Sequence, residues 1–191
     1  MHIMIDLETM GTSPTAPIIS IGAVLFDAEE IKERFYEVVD LKSAVDAGAV
    51  MDPRTVIWWM EQSDEARAAL TGGGRKIDTV LSNFSNFFDV GELRQALAAW
   101  EDKSTTPLLE IFGVWGNGAA FDNVILAEAY KRLDVEVPWP FWKDKCYRTV
   151  KGLYPSVEIK RVGTHHNALS DAETQAEHLI RINKAAGGII L

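Results

Sequence analysis

The sequence predicts one α/β domain spanning residues 1–191, built on a mixed β-sheet of about five strands flanked by helices. Three observations carry this. Short apolar segments with strand character crowd the N-terminal 40 residues. Helical spacing takes over after Asp52-Pro53. Strand-like segments then return between helical ones, giving the order three strands, helices, strand, helix, short strand, helix.

Each element has a local reason. In residues 2–8, Ile3, Ile5 and Leu7 point one way and Met4, Asp6 and Glu8 the other, the period of a strand. Pro14 and Pro17 mark a loop, and residues 18–27 read as a buried strand. Residues 32–40 form a third, with an antiparallel turn at Asp27-Ala28-Glu29-Glu30. Asp52 can cap a helix that Pro53 opens, with Val56, Trp59 and Met60 at helical spacing. A second short helix follows Ser63, although Ser63-x-x-Ala66 lacks the acid of a full capping box. Helix continues over 77–88, and the polar stretch 89–107 carries no firm assignment. The near-continuous apolar run 108–115 predicts a strand buried on both faces. Residues 119–133 predict a helix, 138–148 an aromatic, proline-containing loop entering a short final strand, and 168–184 a C-terminal helix after a loop at 163–167.

Composition narrows the function classes. No stretch approaches the roughly 20 apolar residues of a membrane span, and the N-terminus has neither the basic start nor the long apolar run of a signal peptide. The single cysteine, Cys146, cannot form an internal disulfide, which agrees with a reducing cytoplasm. The net charge of −9 argues against tight, non-specific binding to a nucleic-acid duplex. It permits a small contact with a strand end if bound divalent cations reverse the local sign.

Three carboxylate-bearing segments stand out. Asp6 and Glu8, two apart in a strand, project together from its end, where hard cations favour such oxygen ligands. Taken alone, the pair is more often a solvent-facing strand end. Asp122 lies in the first turn of a helix that follows a strand through Asn117-Gly118-Ala119-Ala120-Phe121. Alone, it could equally complement the helix dipole. Asp171 sits near the start of the C-terminal helix, with His166 on the preceding loop, where a histidine can move protons beside a metal. A surface histidine and one more N-terminal helix acid would look the same.

Together the segments are specific. Asp6-x-Glu8, Asn117-x₃-Phe121-Asp122 and His166-x₄-Asp171 resemble, in order and spacing, the three motifs of the DEDDh 3′→5′ exonucleases, most closely the ribonuclease T-like branch. The resemblance runs from residue 3 to about 180, with 41–107 only loosely constrained. It implies a ribonuclease H-like sheet and two divalent ions, Mg²⁺ or alternatively Mn²⁺, held by Asp6, Glu8, Asp122 and Asp171, with His166 as general base. It also implies single-stranded RNA or DNA 3′ ends as partners, RNA slightly favoured, release of 5′-mononucleotides, and a homodimer. Two other functions stay open: a non-catalytic nucleic-acid or protein-binding module on the same fold, and a metal phosphoesterase of small nucleotides.

Neighbouring residues extend the expectation. Thr9 and Met10 follow the first acids, where similar enzymes contact the terminal nucleotide, and Asn117 joins them as a substrate contact. Trp58 and Trp59 sit about 100° apart on a helix, so Trp59 is expected inward and Trp58 nearer the strand end, available to stack on a base. Two core residues or a dimer contact are the competing account. His165 is expected to point away, and His2 and His178 to have ordinary surface or core roles. Gly72-Gly73-Gly74-Arg75-Lys76 lacks a phosphate-loop pattern and reads as a turn with two solvated cations. Arg148 could face substrate.

Overall fold

The computed structural model describes residues 1–101 and 111–191. Its sheet is built on β1 (His2–Thr9), which pairs antiparallel with β2 (Ile18–Phe26) on one side and parallel with β4 (Gly113–Gly116) on the other. β3 (Ile31–Val38) extends the antiparallel half and β5 (Asp144–Cys146) the parallel half, giving the order β3-β2-β1-β4-β5. This is the mixed five-strand sheet expected.

The alternation in β1 decides what each face does. Ile3, Ile5 and Leu7 pack in the larger core with residues of α4 (Ile77–Glu101) and α5 (Asp122–Arg132), among them Val80, Phe84, Leu126 and Tyr130. Met4 packs on the opposite face with Val24, Phe26 and Trp115 against Ala172, Ala176 and Leu179 of α7 (Ala168–Ala185). Asp6 and Glu8 share the parity of Met4, so they belong to the α7 face at the strand's C-terminal end. Burying a leucine such as Leu179 contributes about 1.5–3 kcal/mol, which anchors α7 across the sheet.

One glycine sets how closely α7 approaches. Gly22 pairs with Asp6 across the sheet, and a Cβ built there would lie 2.1 Å from the carbonyl carbon of Ala168. Only a residue without a side chain lets the start of α7 rest on β2. The helix thus begins beside the carboxylate end of β1.

Along the chain, α1 (Leu41–Asp46), α2 (Pro53–Met60) and α3 (Asp64–Thr71) follow β3. The predicted caps of the last two form: the side chains of Asp52 and Ser63 accept from the backbone N–H groups of Arg54 and Ala66. Gly74 brings Arg75 against β3, where the Arg75 N–H donates to the Val38 carbonyl, so the glycine run is a paired turn with exposed Arg75 and Lys76.

Several boundaries differ from the sequence reading. α1 and α6 (Tyr147–Leu153) were not expected; at six and seven residues they are too short to show a helical period. α4 continues past residue 88 to Glu101. The strand expected from 108 begins at Gly113, with 108–110 outside the described residues. α5 starts at Asp122, three residues later than expected, because 117–121 turn the chain out of β4. Among the described residues no helix is long and apolar enough to cross a membrane.

Candidate active site

Four acids converge where the parallel strands β1 and β4 end. Asp6 and Glu8 leave β1, Asp122 opens α5, and Asp171 lies in the first turn of α7. With Asn117, Phe121, Arg148, His165 and His166 they line one polar cavity of about 240 Å³. Asp6, Glu8 and Asp171 each offer an oxygen within 4.8 Å of the others. Asp122 stands beside this group, and its Oδ1 accepts from the Leu7 N–H at 3.3 Å.

Burial makes this concentration of negative charge costly. Asp6 is held well above the usual carboxylate range, first by burial and then by the charges of Asp122, Asp171 and Glu8. The Gln175 side-chain N–H, donating to Asp6 Oδ1 at 2.7 Å, opposes that shift. Glu8 is pushed up to about 8 by burial and by Asp171 and Asp122, with Arg161 pulling the other way. Burial raises Asp122 to about 6, against backbone hydrogen bonds that favour its charged form. Without a cation the pocket therefore holds protons. An all-oxygen donor set of this density fits a hard divalent cation such as Mg²⁺ or Mn²⁺.

The His166 loop is fastened to Asp171. The His166 N–H donates to Asp171 Oδ2 at 3.1 Å, Arg161 pairs with Asp171 Oδ1, and the Asn167 side chain caps α7 through the Ser170 N–H. His166 adopts a left-handed backbone, φ 59°, a conformation that costs on the order of 1–3 kcal/mol and persists only where the surroundings enforce it. Its ring meets Trp58 edge to face at 5.0 Å between centroids, with Trp59 at 6.4 Å.

A second cavity, about 600 Å³, adjoins the first through Leu7, Glu8 and Phe121. Its walls include Thr9, Gly11, Thr12, Asp52, Thr55, Trp58 and Trp59. Trp59 is 2% exposed and its Nε1–H donates to the Thr9 carbonyl at 2.9 Å; Trp58 is 39% exposed and faces the cavity. An acid pocket thus opens directly into a larger hollow with an indole wall.

The match to the family model of the Rv2179c-like 3′-5′ exoribonuclease domain covers residues 1–182. The chain belongs to this family. The exodeoxyribonuclease of Enterobacteria phage T4 is 26% identical over 136 residues, 65% of the chain and 53% of that protein, so the chain spans about half the length of this curated relative. Among solved structures, the nuclease domain of 3′hExo, described as a DEDDh family member bound to rAMP, aligns with a TM-score of 0.60 at 15% identity over 97% of this chain and 92% of that one. Exonuclease X in complex with 5′ overhanging duplex DNA aligns with a TM-score of 0.56 at 17% identity, covering 98% and 93%. These likenesses establish the ribonuclease H-like fold of the Rv2179c-like chain.

Most of the residues anticipated from sequence meet at the cleft of this Rv2179c-like domain. Thr9 and Trp58 border the larger cavity and Asn117 the smaller. Met10 does not fit the expectation: it is 5% exposed and packs with Ile19, Trp59 and Ala66, presenting no face to either cavity. The chain leaves β1 after Thr9, and the turn carries Met10 inward. His165, expected to point away, borders the acid pocket with His166. His2 and His178 are buried and hydrogen-bonded, His178 to the Tyr147 hydroxyl and the Val157 carbonyl. Gln175 and Arg161 were missed. Gln175 is four residues after Asp171 on the same helix face, a spacing that could have pointed to it. Arg161 lies in a loop and carries no such signal.

Proposed function

We propose that this chain is a metal-dependent 3′→5′ exonuclease that removes 5′-mononucleotides from single-stranded RNA or DNA ends, RNA slightly favoured. One observation carries the reading: three carboxylate oxygens within 4.8 Å of one another lie in a buried pocket that opens into a cavity walled by an exposed indole.

Asp6, Glu8, Asp122 and Asp171 would hold two divalent cations, Mg²⁺ or Mn²⁺, which supply an acidified water and neutralise charge on the phosphoryl group. The chain's own residues do the rest. His166 accepts the proton of the attacking water, its ring steered by Trp58 and its loop tied to Asp171. The water oxygen joins phosphorus, the bond to the 3′ oxygen of the next nucleotide breaks, that oxygen takes a proton from solvent, and the terminal residue leaves with a 5′-phosphate. Thr9 and the Trp58 indole line the hollow that takes the terminal nucleoside, whose base stacks on Trp58. Gln175 orients Asp6 through its 2.7 Å hydrogen bond.

The family's description supports the preference for RNA, and the phage relative keeps DNA in play. End-labelled single-stranded RNA and DNA, incubated with Mg²⁺ or Mn²⁺, test both. The expected result is a ladder from the 3′ end that disappears with Asp6→Asn. A wild-type protein that shortens neither polymer under either metal would falsify the reading. The expected homodimer is checked separately, by sedimentation of the wild-type chain.

A further inference from the structure

A third hollow continues the cleft. About 370 Å³ in volume, it lies beneath α6 and is walled by Tyr154, Pro155, Val157 and Ile159, with the edge of buried His178 at its base. Arg148 borders both this groove and the acid pocket. It stands beside the β4–α5 turn, its guanidinium carbon 3.9 Å from where a Cβ on Gly118 would lie. Lys151 follows three residues later on α6, so the two cations share one helix face along the groove. Both are exposed, and among the described residues neither is paired with a carboxylate. On a chain of net charge −9, two unpaired cations leading away from an acidic pocket are a local reversal.

Direction follows from the site. The Trp58 hollow meets the acid pocket at Leu7, Glu8 and Phe121, whereas the groove under α6 meets it at Arg148. If the terminal nucleoside fills the Trp58 hollow, the rest of the strand leaves across the Arg148 side. Unpaired cations beside an apolar wall with one aromatic ring are the chemistry that holds a single strand: charge tracks the phosphates, and flat surfaces take bases.

We infer that the groove under α6 is an upstream subsite for the third nucleotide from the 3′ end. Arg148 meets the phosphate between the second and third residues, Lys151 the next phosphate, and Tyr154 packs on the third base. The inference rests on the exonuclease reading and adds to it a minimum strand length for full affinity.

Kinetics on a dinucleotide and on a hexanucleotide of the same 3′ sequence test it, using wild type, Lys151→Glu and Tyr154→Ala. The dinucleotide cannot reach the groove. The expected result is KM on the hexanucleotide raised at least about fivefold in each variant, with kcat retained and dinucleotide kinetics unchanged. The salt dependence of hexanucleotide binding should also become shallower in Lys151→Glu. Equal KM increases on both substrates, or wild-type KM on the hexanucleotide in both variants, overturn the subsite while leaving the exonuclease intact. A wild type that cleaves neither substrate removes both ideas together.

Discussion

The two joined hollows of the cleft are built on different principles. The acid pocket takes its carboxylates from β1, α5 and α7, elements locked into the two main cores, and its oxygens are crowded and buried at a cost the fold must carry. The neighbouring hollow is walled largely by the Thr9–Thr12 turn and α2, whose only fully buried side chain is Trp59. On the exonuclease reading, metal binding falls to the half built on the two main cores and substrate contact to the half walled by a turn and α2. The difference predicts that changes in the first act on turnover and changes in the second on affinity.

The largest effect should come from the first half. Asp6→Asn keeps the shape of a buried acid but removes a charge, and is expected to lower kcat by roughly a thousandfold or more while the variant stays folded. Retained turnover would break the proposed division at its strongest point. His166→Ala should follow, with a loss of about 10²–10⁴-fold in kcat and little change in KM. A pure KM effect there would move His166 into the binding half.

Trp58→Ala probes the other side. Loss of a base-stacking surface, about 1–3 kcal/mol, should appear as a higher KM on single strands with kcat nearly intact. Because the indole also contacts the His166 ring, a parallel fall in kcat would mean that the halves are coupled through that contact.

The smallest effect is on stability. Glu8 is held up to about 8 and Asp122 to about 6 in the folded chain, each above its ordinary value. Below their unfolded-state values both states are protonated and nothing is lost. As pH rises toward 8 the unfolded chain releases protons that the folded chain retains, so the metal-free protein should become less stable. In chelator, Tm should fall between pH 5 and pH 8, and Glu8→Gln should flatten the trend. A Tm that climbs over that range in the metal-free wild type would contradict the electrostatics described. Added Mg²⁺ should raise Tm most at the alkaline end, where the acids must otherwise carry their charge unneutralised.

The same contrast explains what could be read from sequence. The strand period and the helix starts placed Asp6, Glu8, Asp122 and Asp171 on their elements before any packing is known, but only their joint resemblance to the DEDDh motifs marked them as one site. Helical geometry separated Trp58 from Trp59, and Trp59 is the inward one, as expected. Met10 did not, because the side-chain direction of the first residue past a strand depends on the turn it enters. Arg161 reaches Asp171 from a loop whose path is set by tertiary contacts, and the groove under α6 depends on a helix too short to announce itself.

Gly22 has no chemistry of its own, yet it fixes the gauge of the cleft. Where Gly22 meets the start of α7 there is no rotatable group to absorb a change, only main chain bearing on main chain. The gap between Asp6 and Asp171 is therefore held by the stiffest kind of spacer a polypeptide can offer. An added methyl at this distant-looking position would lever the far acid out of alignment without touching a carboxylate.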